Sequence, residues 1–87
     1  MIPKYVHPFL WSYDVDKMDL DRDKKRIITN ILNLGTAKAT DWLFGVYNKE
    51  EIKENIIYPM PGEWSKKSLN FWGIIFGIEP KIEKRKI

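Results

Sequence analysis

Five aspartates crowd into ten residues, Asp14-Val-Asp-Lys-Met-Asp-Leu-Asp-Arg-Asp23, and carboxylates spaced by two are what a loop uses to hold a divalent cation. The details argue against a metal. With Asp19, Asp21 and Asp23 as loop positions one, three and five, Lys24 stands where the sharp turn needs glycine. Asn30 stands where a bidentate glutamate should close the coordination shell. Asp14 and Asp16 lack the preceding Gly-Ser context of a nucleotide-transfer catalytic site. Helix capping and complementation of the helix dipole account for the cluster, so no metal is expected.

A Ser-His-Asp triad would have to be built on His7, the single histidine, which lies beside Pro8. A general base must be held within hydrogen-bonding reach of its target, and this placement suits a surface or packing histidine better. There is no Gly-x-Ser-x-Gly elbow and no Gly-rich phosphate loop ending in Gly-Lys-Ser/Thr. With no cysteine in the chain, disulfides, thiolate metal sites and a cysteine nucleophile are excluded as well. Neither catalytic residues nor a cofactor is expected.

The third candidate is a phosphate or nucleic-acid contact at Lys66, Lys67, Ser68 and Asn70. Two lysines in a first helical turn oppose the helix dipole by roughly 0.3 to 1 kcal/mol each, so their presence there is informative. Together with free amides they resemble a phosphate-binding helix start. The plainer reading is a solvated turn. Used with residues 49–58 as a helix-turn-helix pair, this helix would make the chain a small DNA-binding regulator, although the Pro-rich connection is longer than that motif prefers.

These residues must be positioned by helices, since nothing in the chain alternates with the period of two that strands require. Asp19 can cap a helix over about 20–34, with Ile27, Ile28, Ile31 and Leu32 buried and Gly35 supplying a left-handed end. Thr36 can cap a second, about 37–47, with Ala39, Trp42, Leu43, Val46 and Tyr47 as its buried stripe. Asn48 and Glu51 form a capping box for a third, about 49–58, with Ile52, Ile56 and Ile57 inward and Pro59 limiting it. Ser65 caps a fourth, about 66–76, where Trp64 can clamp onto Leu69 and Gly77 closes the helix. Phe9, Leu10, Trp11 and Tyr13 anchor an irregular N-terminal segment. The fold expected is all-α, a single compact domain of four main helices over residues 1–79, followed by a basic tail over 80–87.

At 87 residues with 44% hydrophobic content the chain should fold, yet a domain this small hides only about 60% of its unfolded surface. Residues 1–63 carry 9 Lys/Arg against 10 Asp/Glu and residues 64–87 carry 6 against 2, so the net +3 is C-terminal. The N-terminus lacks a secretory pattern, and the apolar run from Phe71 to Ile78 is too short for a bilayer, so a cytoplasmic location without membrane contact is expected. Phe71, Trp72, Ile74, Ile75 and Phe76 surround the last helix, which therefore must be covered. Central core packing is the first expectation, and a surface shared with another protein is the second. Gly73 and Gly77 would offer another backbone a flat strip. Four Trp, four Tyr and four Phe are hard to bury in so small a domain, which makes Trp11, Phe71 and Trp72 candidate partner-binding anchors.

The order Phe9-Leu-Trp-Ser-Tyr-Asp-Val-Asp16, Ile27-Ile28 to Leu34-Gly35, Asp41-Trp-Leu-Phe, Tyr47-x-Lys-Glu-Glu-Ile52 and Asn70-Phe-Trp-Gly-Ile-Ile-Phe-Gly77 resembles a family of small uncharacterised prokaryotic helical proteins. The resemblance covers most of residues 9–78. Members are often encoded beside a nucleotidyltransferase-type toxin of the abortive-infection class. The resemblance thus implies an antitoxin-like, non-enzymatic protein that binds and neutralises such a toxin.

Overall fold

The computed structural model describes residues 2–10, 14–60 and 63–79. Among these, all regular structure is helical: two 3-10 segments, Lys4–Leu10 and Val15–Lys17, then α1 (Lys24–Leu34), α2 (Ala37–Val46), α3 (Lys49–Ile57) and α4 (Lys66–Phe76). The all-α expectation holds. The basic tail from Pro80 onward, and Trp11 and Tyr13, lie outside the described residues.

α1 begins at Lys24, four residues later than its capping aspartate suggested. Asp19 instead caps a separate turn: its Oδ1 accepts the amides of Asp21 (2.8 Å) and Arg22 (2.9 Å), while its own amide donates to Asp23 Oδ2 (2.9 Å). Short carboxylates offer the backbone a local alternative to the helix, and here they win for one turn. The two amides hold the Asp19 carboxyl below its ordinary range. The Arg22 guanidinium, 2.8 Å from Asp23 Oδ2, does the same for Asp23, with the Asp19 amide adding to it.

At the other end of α1 the left-handed reading of Gly35 is corrected, because its φ of −78° and ψ of 164° are ordinary extended backbone. Glycine is needed there for a steric reason. A Cβ on Gly35 would lie 2.5 Å from the carbonyl oxygen of Ile31, which the Gly35 amide approaches to 2.8 Å.

The remaining caps follow the local sequence. Thr36 Oγ1 accepts the Ala39 amide, Asn48 and Glu51 exchange both bonds of a capping box, and Ser65 Oγ accepts the Ser68 amide. α4 ends in a Schellman motif: Gly77 is left-handed with φ 66°, its amide donates to Ile74 O, and the Ile78 amide donates to Gly73 O. Ile78, next after that glycine, packs back against the core. Tyr47 and Tyr58 cap α2 and α3 rather than closing their last turns.

α1 is the hub, touching the first 3-10 segment, α2, α3 and α4. Its Ile27, Ile28, Ile31 and Leu32 are buried with Val6, Leu10, Leu43, Ile52 and Ile56. Among the described residues of the N-terminal segment the deepest anchors are aliphatic, Ile2, Val6 and Leu10, with Phe9 half-buried against the core; the anchoring expected of Trp11 and Tyr13 lies outside the described residues. Polar ties join the parts: Asn30 Nδ2 to Phe9 O, Tyr47 Oη to Leu20 O, and Lys24 Nζ to Glu51 Oε2 at 3.0 Å. The α2 stripe narrows to Ala39, Leu43 and Tyr47 with Trp42 half-buried; Val46 is 37% exposed. α2 packs chiefly on α1 and the first 3-10 segment and meets α4 through the ring of Phe44, which with Val46 stays more than a third exposed.

Candidate protein-docking surface

α4 is fastened to the C-terminal end of α1 by side chains that satisfy the carbonyls a helix end leaves open. Trp72 Nε1 donates to Leu32 O at 2.7 Å and Ser68 Oγ donates to Asn33 O at 3.1 Å. The Asn33 side chain completes the joint, accepting from the Ser65 amide (3.0 Å) and donating to Glu63 O (3.1 Å). Leu69, Trp72, Gly73 and Phe76, spaced at three and four, form the inner face. Leu69 and Gly73 are buried, Trp72 and Phe76 partly so.

A second apolar stripe at the same spacing faces away. Phe71 is 54% exposed, Ile74 70% and Ile75 57%. Central core packing of α4 is therefore corrected: α1 and α3 cover one side of it, and the outer side stays bare. Gly73 belongs to the inner face and Gly77 to the end cap, so the flat external strip expected from the two glycines is absent.

The bare face continues onto α2 through Phe44, 42% exposed, whose ring meets Trp72 at 6.0 Å and Phe76 at 6.1 Å, both edge to face. Phe71 is edge to face with Trp72 at 5.1 Å, and Trp72 lies 6.3 Å from Phe76. These distances suit the aromatic quadrupole, so the four rings form a braced cluster rather than loose side chains. Beside it opens a cleft of about 430 Å³ lined by Phe44, Tyr47, Lys49, Lys53, Ile75 and Phe76. Burial, and behind it the nearby carboxylates led by Glu51, pushes the Tyr47 hydroxyl up to about 12, so it stays a neutral donor.

The residues singled out by sequence divide sharply. Trp72 is half structural, Phe71 is at the surface, and Trp11 lies outside the described residues. Lys66, Lys67 and Asn70 are exposed, whereas Ser68 is committed to the carbonyl of Asn33. His7 packs near the N-terminus with Nε2 3.0 Å from Ile2 O. Among the described residues no three His, Cys, Asp or Glu side chains gather as a metal site, and no helix is long and apolar enough to cross a membrane. Phe44, Lys49 and Lys53 join the surface without a signal in the sequence, and Ile74 and Ile75, expected first in the core and second on a shared surface, take the second place. The doubled spacing in α4 held the signal for Ile74 and Ile75, because one stripe of that width suffices to seat a helix.

No curated protein and no solved structure matches the chain. A family model matches residues 6–56, from the first 3-10 segment to the last turn of α3, and stops short of α4 and most of the apolar surface. That span is more than half of the chain, which belongs to a family of unknown function (DUF6922).

Proposed function

We propose that the chain is a non-enzymatic protein-binding module that docks a partner on the surface made by Phe44, Phe71, Ile74 and Ile75. The observation that carries this reading is the second apolar stripe of α4, exposed although the helix is firmly seated on its other side. Fully covering a side chain such as Ile or Phe is worth about 1.5 to 3 kcal/mol, so a partner has a large incentive to bury this stripe. Contiguous apolar patches on small monomers commonly mark interaction sites. On the resemblance of the sequence, the partner is a nucleotidyltransferase-type toxin encoded next to the chain, and docking blocks its active site or substrate approach. Co-expression tests this: the neighbouring protein is expected to co-elute with the chain on size exclusion and to lose its toxicity. Separate elution with toxicity unchanged would refute the reading.

A DNA-binding role is the second reading, supported by Lys66 and Lys67, which are exposed at the start of α4 and form no ion pair among the described residues. Binding through them predicts a mobility shift that weakens steeply with salt. The use of Ser68 inside the fold removes one of its four contacts.

A further inference from the structure

The described residues that line the cleft beside the bare face of α4 carry charge of one sign. Lys49 and Lys53 stand four apart on α3, a spacing at which like charges on a helix repel. Neither forms an ion pair with a described residue, and no carboxylate among the described residues lines the cleft. Glu51, also on α3, is occupied by Lys24 at 3.0 Å. Glu50 and Glu54 line a different groove, which shares Lys53 and continues to Ile57, Tyr58 and Ile78. Phe44 of α2 and Ile75 and Phe76 of α4 supply the apolar part of the same lining.

We propose that this cleft receives an acidic segment of a partner protein: an aliphatic or aromatic side chain fills the space against Phe44, Ile75 and Phe76, and flanking Asp or Glu side chains pair with Lys49 and Lys53. The inference rests on the docking role proposed above and adds the partner's chemistry. A volume of about 430 Å³ holds one large side chain with its neighbours. The cationic rim then sets orientation and speeds encounter. A second copy of the chain fits poorly, because a two-fold interface centred on the cleft sets this rim against itself. A single nucleic-acid strand would want open ring faces, whereas Phe44 and Phe76 are engaged edge to face with each other and the exposed α4 side chain in the cleft, Ile75, is aliphatic.

The test is selection of a random displayed peptide library on the full chain, followed by fluorescence anisotropy of the best peptide. We expect selected peptides to pair an apolar anchor with Asp or Glu. The double substitution K49E/K53E should weaken binding by roughly tenfold or more while leaving the thermal melt unchanged, and Ile75→Asp should abolish it. Neutral or basic peptides, or peptides indifferent to K49E/K53E but lost with Ile75→Asp, would overturn the acidic-partner inference and leave the docking role standing. Peptides indifferent to Ile75→Asp, or no selection at all, would overturn both. A dimer in sedimentation that Ile75→Asp dissociates, or an oligothymidine that competes with the peptide, would assign the cleft to another occupant and equally overturn the inference.

Discussion

The indole of Trp72 donates its hydrogen bond to the carbonyl of Leu32 across forty residues of sequence, at 2.7 Å, and so caps the end of one helix with the side chain of another. Trp72→Phe keeps a ring in place and leaves that carbonyl unmatched, for an expected loss of about 1 kcal/mol. Trp72→Ala removes the ring as well and should cost about 3 kcal/mol. Urea unfolding with an unchanged slope measures both, and the phenylalanine variant should still bind whatever the bare face binds.

Ser68 separates the structural from the nucleic-acid reading of the α4 start. Ser68→Ala should destabilise by about 1 kcal/mol through the lost bond to Asn33 O. Lys66→Ala and Lys67→Ala should leave stability within about 0.5 kcal/mol, or raise it slightly, because each removes a cation from a helix N-terminus. Thermal melts of the three variants give the comparison.

Two glycines are expected to resist substitution for different reasons. Gly77→Ala forces a left-handed conformation on a residue with a Cβ, at about 1 kcal/mol. At Gly35 the conformation is ordinary, but the new methyl meets the Ile31 carbonyl oxygen at 2.5 Å, so the end of α1 must shift. Gly35→Ala should therefore destabilise too, and amide exchange should localise the change to the α1–α2 junction.

Stability should fall at both extremes of pH. Glu51 is held below the ordinary carboxylate range first by the Asn48 amide and then by Lys24, and Asp19 and Asp23 are depressed by the bonds of the turn before α1. A depressed folded value means stability present above the unfolded value, near pH 4, and lost as pH falls through the folded one. Glu51→Gln keeps a capping side chain yet should flatten the acid limb. Tyr47 is raised, to about 12, so its contribution is complete below about pH 10 and declines as pH rises toward the folded value. Tyr47→Phe should remove that alkaline decline and cost about 1 kcal/mol at neutral pH through the bond to Leu20 O. Denaturant titrations across pH read both limbs.

What the sequence disclosed is mostly local. Thr36, the Asn48 and Glu51 pair, Ser65 and Gly77 act within three or four residues of themselves, and each does what its type and spacing imply. The four isoleucine and leucine positions of α1 are buried because every neighbouring element packs on that helix. Long-range relations were hidden. Nothing near Ser68 announces a bond to Asn33, thirty-five residues earlier, and the bareness of Ile74 and Val46 depends on which helices arrive beside them. Asp19 shows the middle case: the capping chemistry was legible, but which turn it would serve depended on competition among neighbouring carboxylates.

The central claim is that the outer side of α4 is spare in the free chain and required in the complex. The most direct measurement is size exclusion of the proposed partner protein with the Ile74→Asp/Ile75→Asp double variant, alongside its urea unfolding. Because both side chains are more than half exposed, the variant should unfold within about 0.5 kcal/mol of the parent and elute apart from a partner that the parent retains. Unfolding of the variant, or retention of the partner by a fully folded one, would contradict the account.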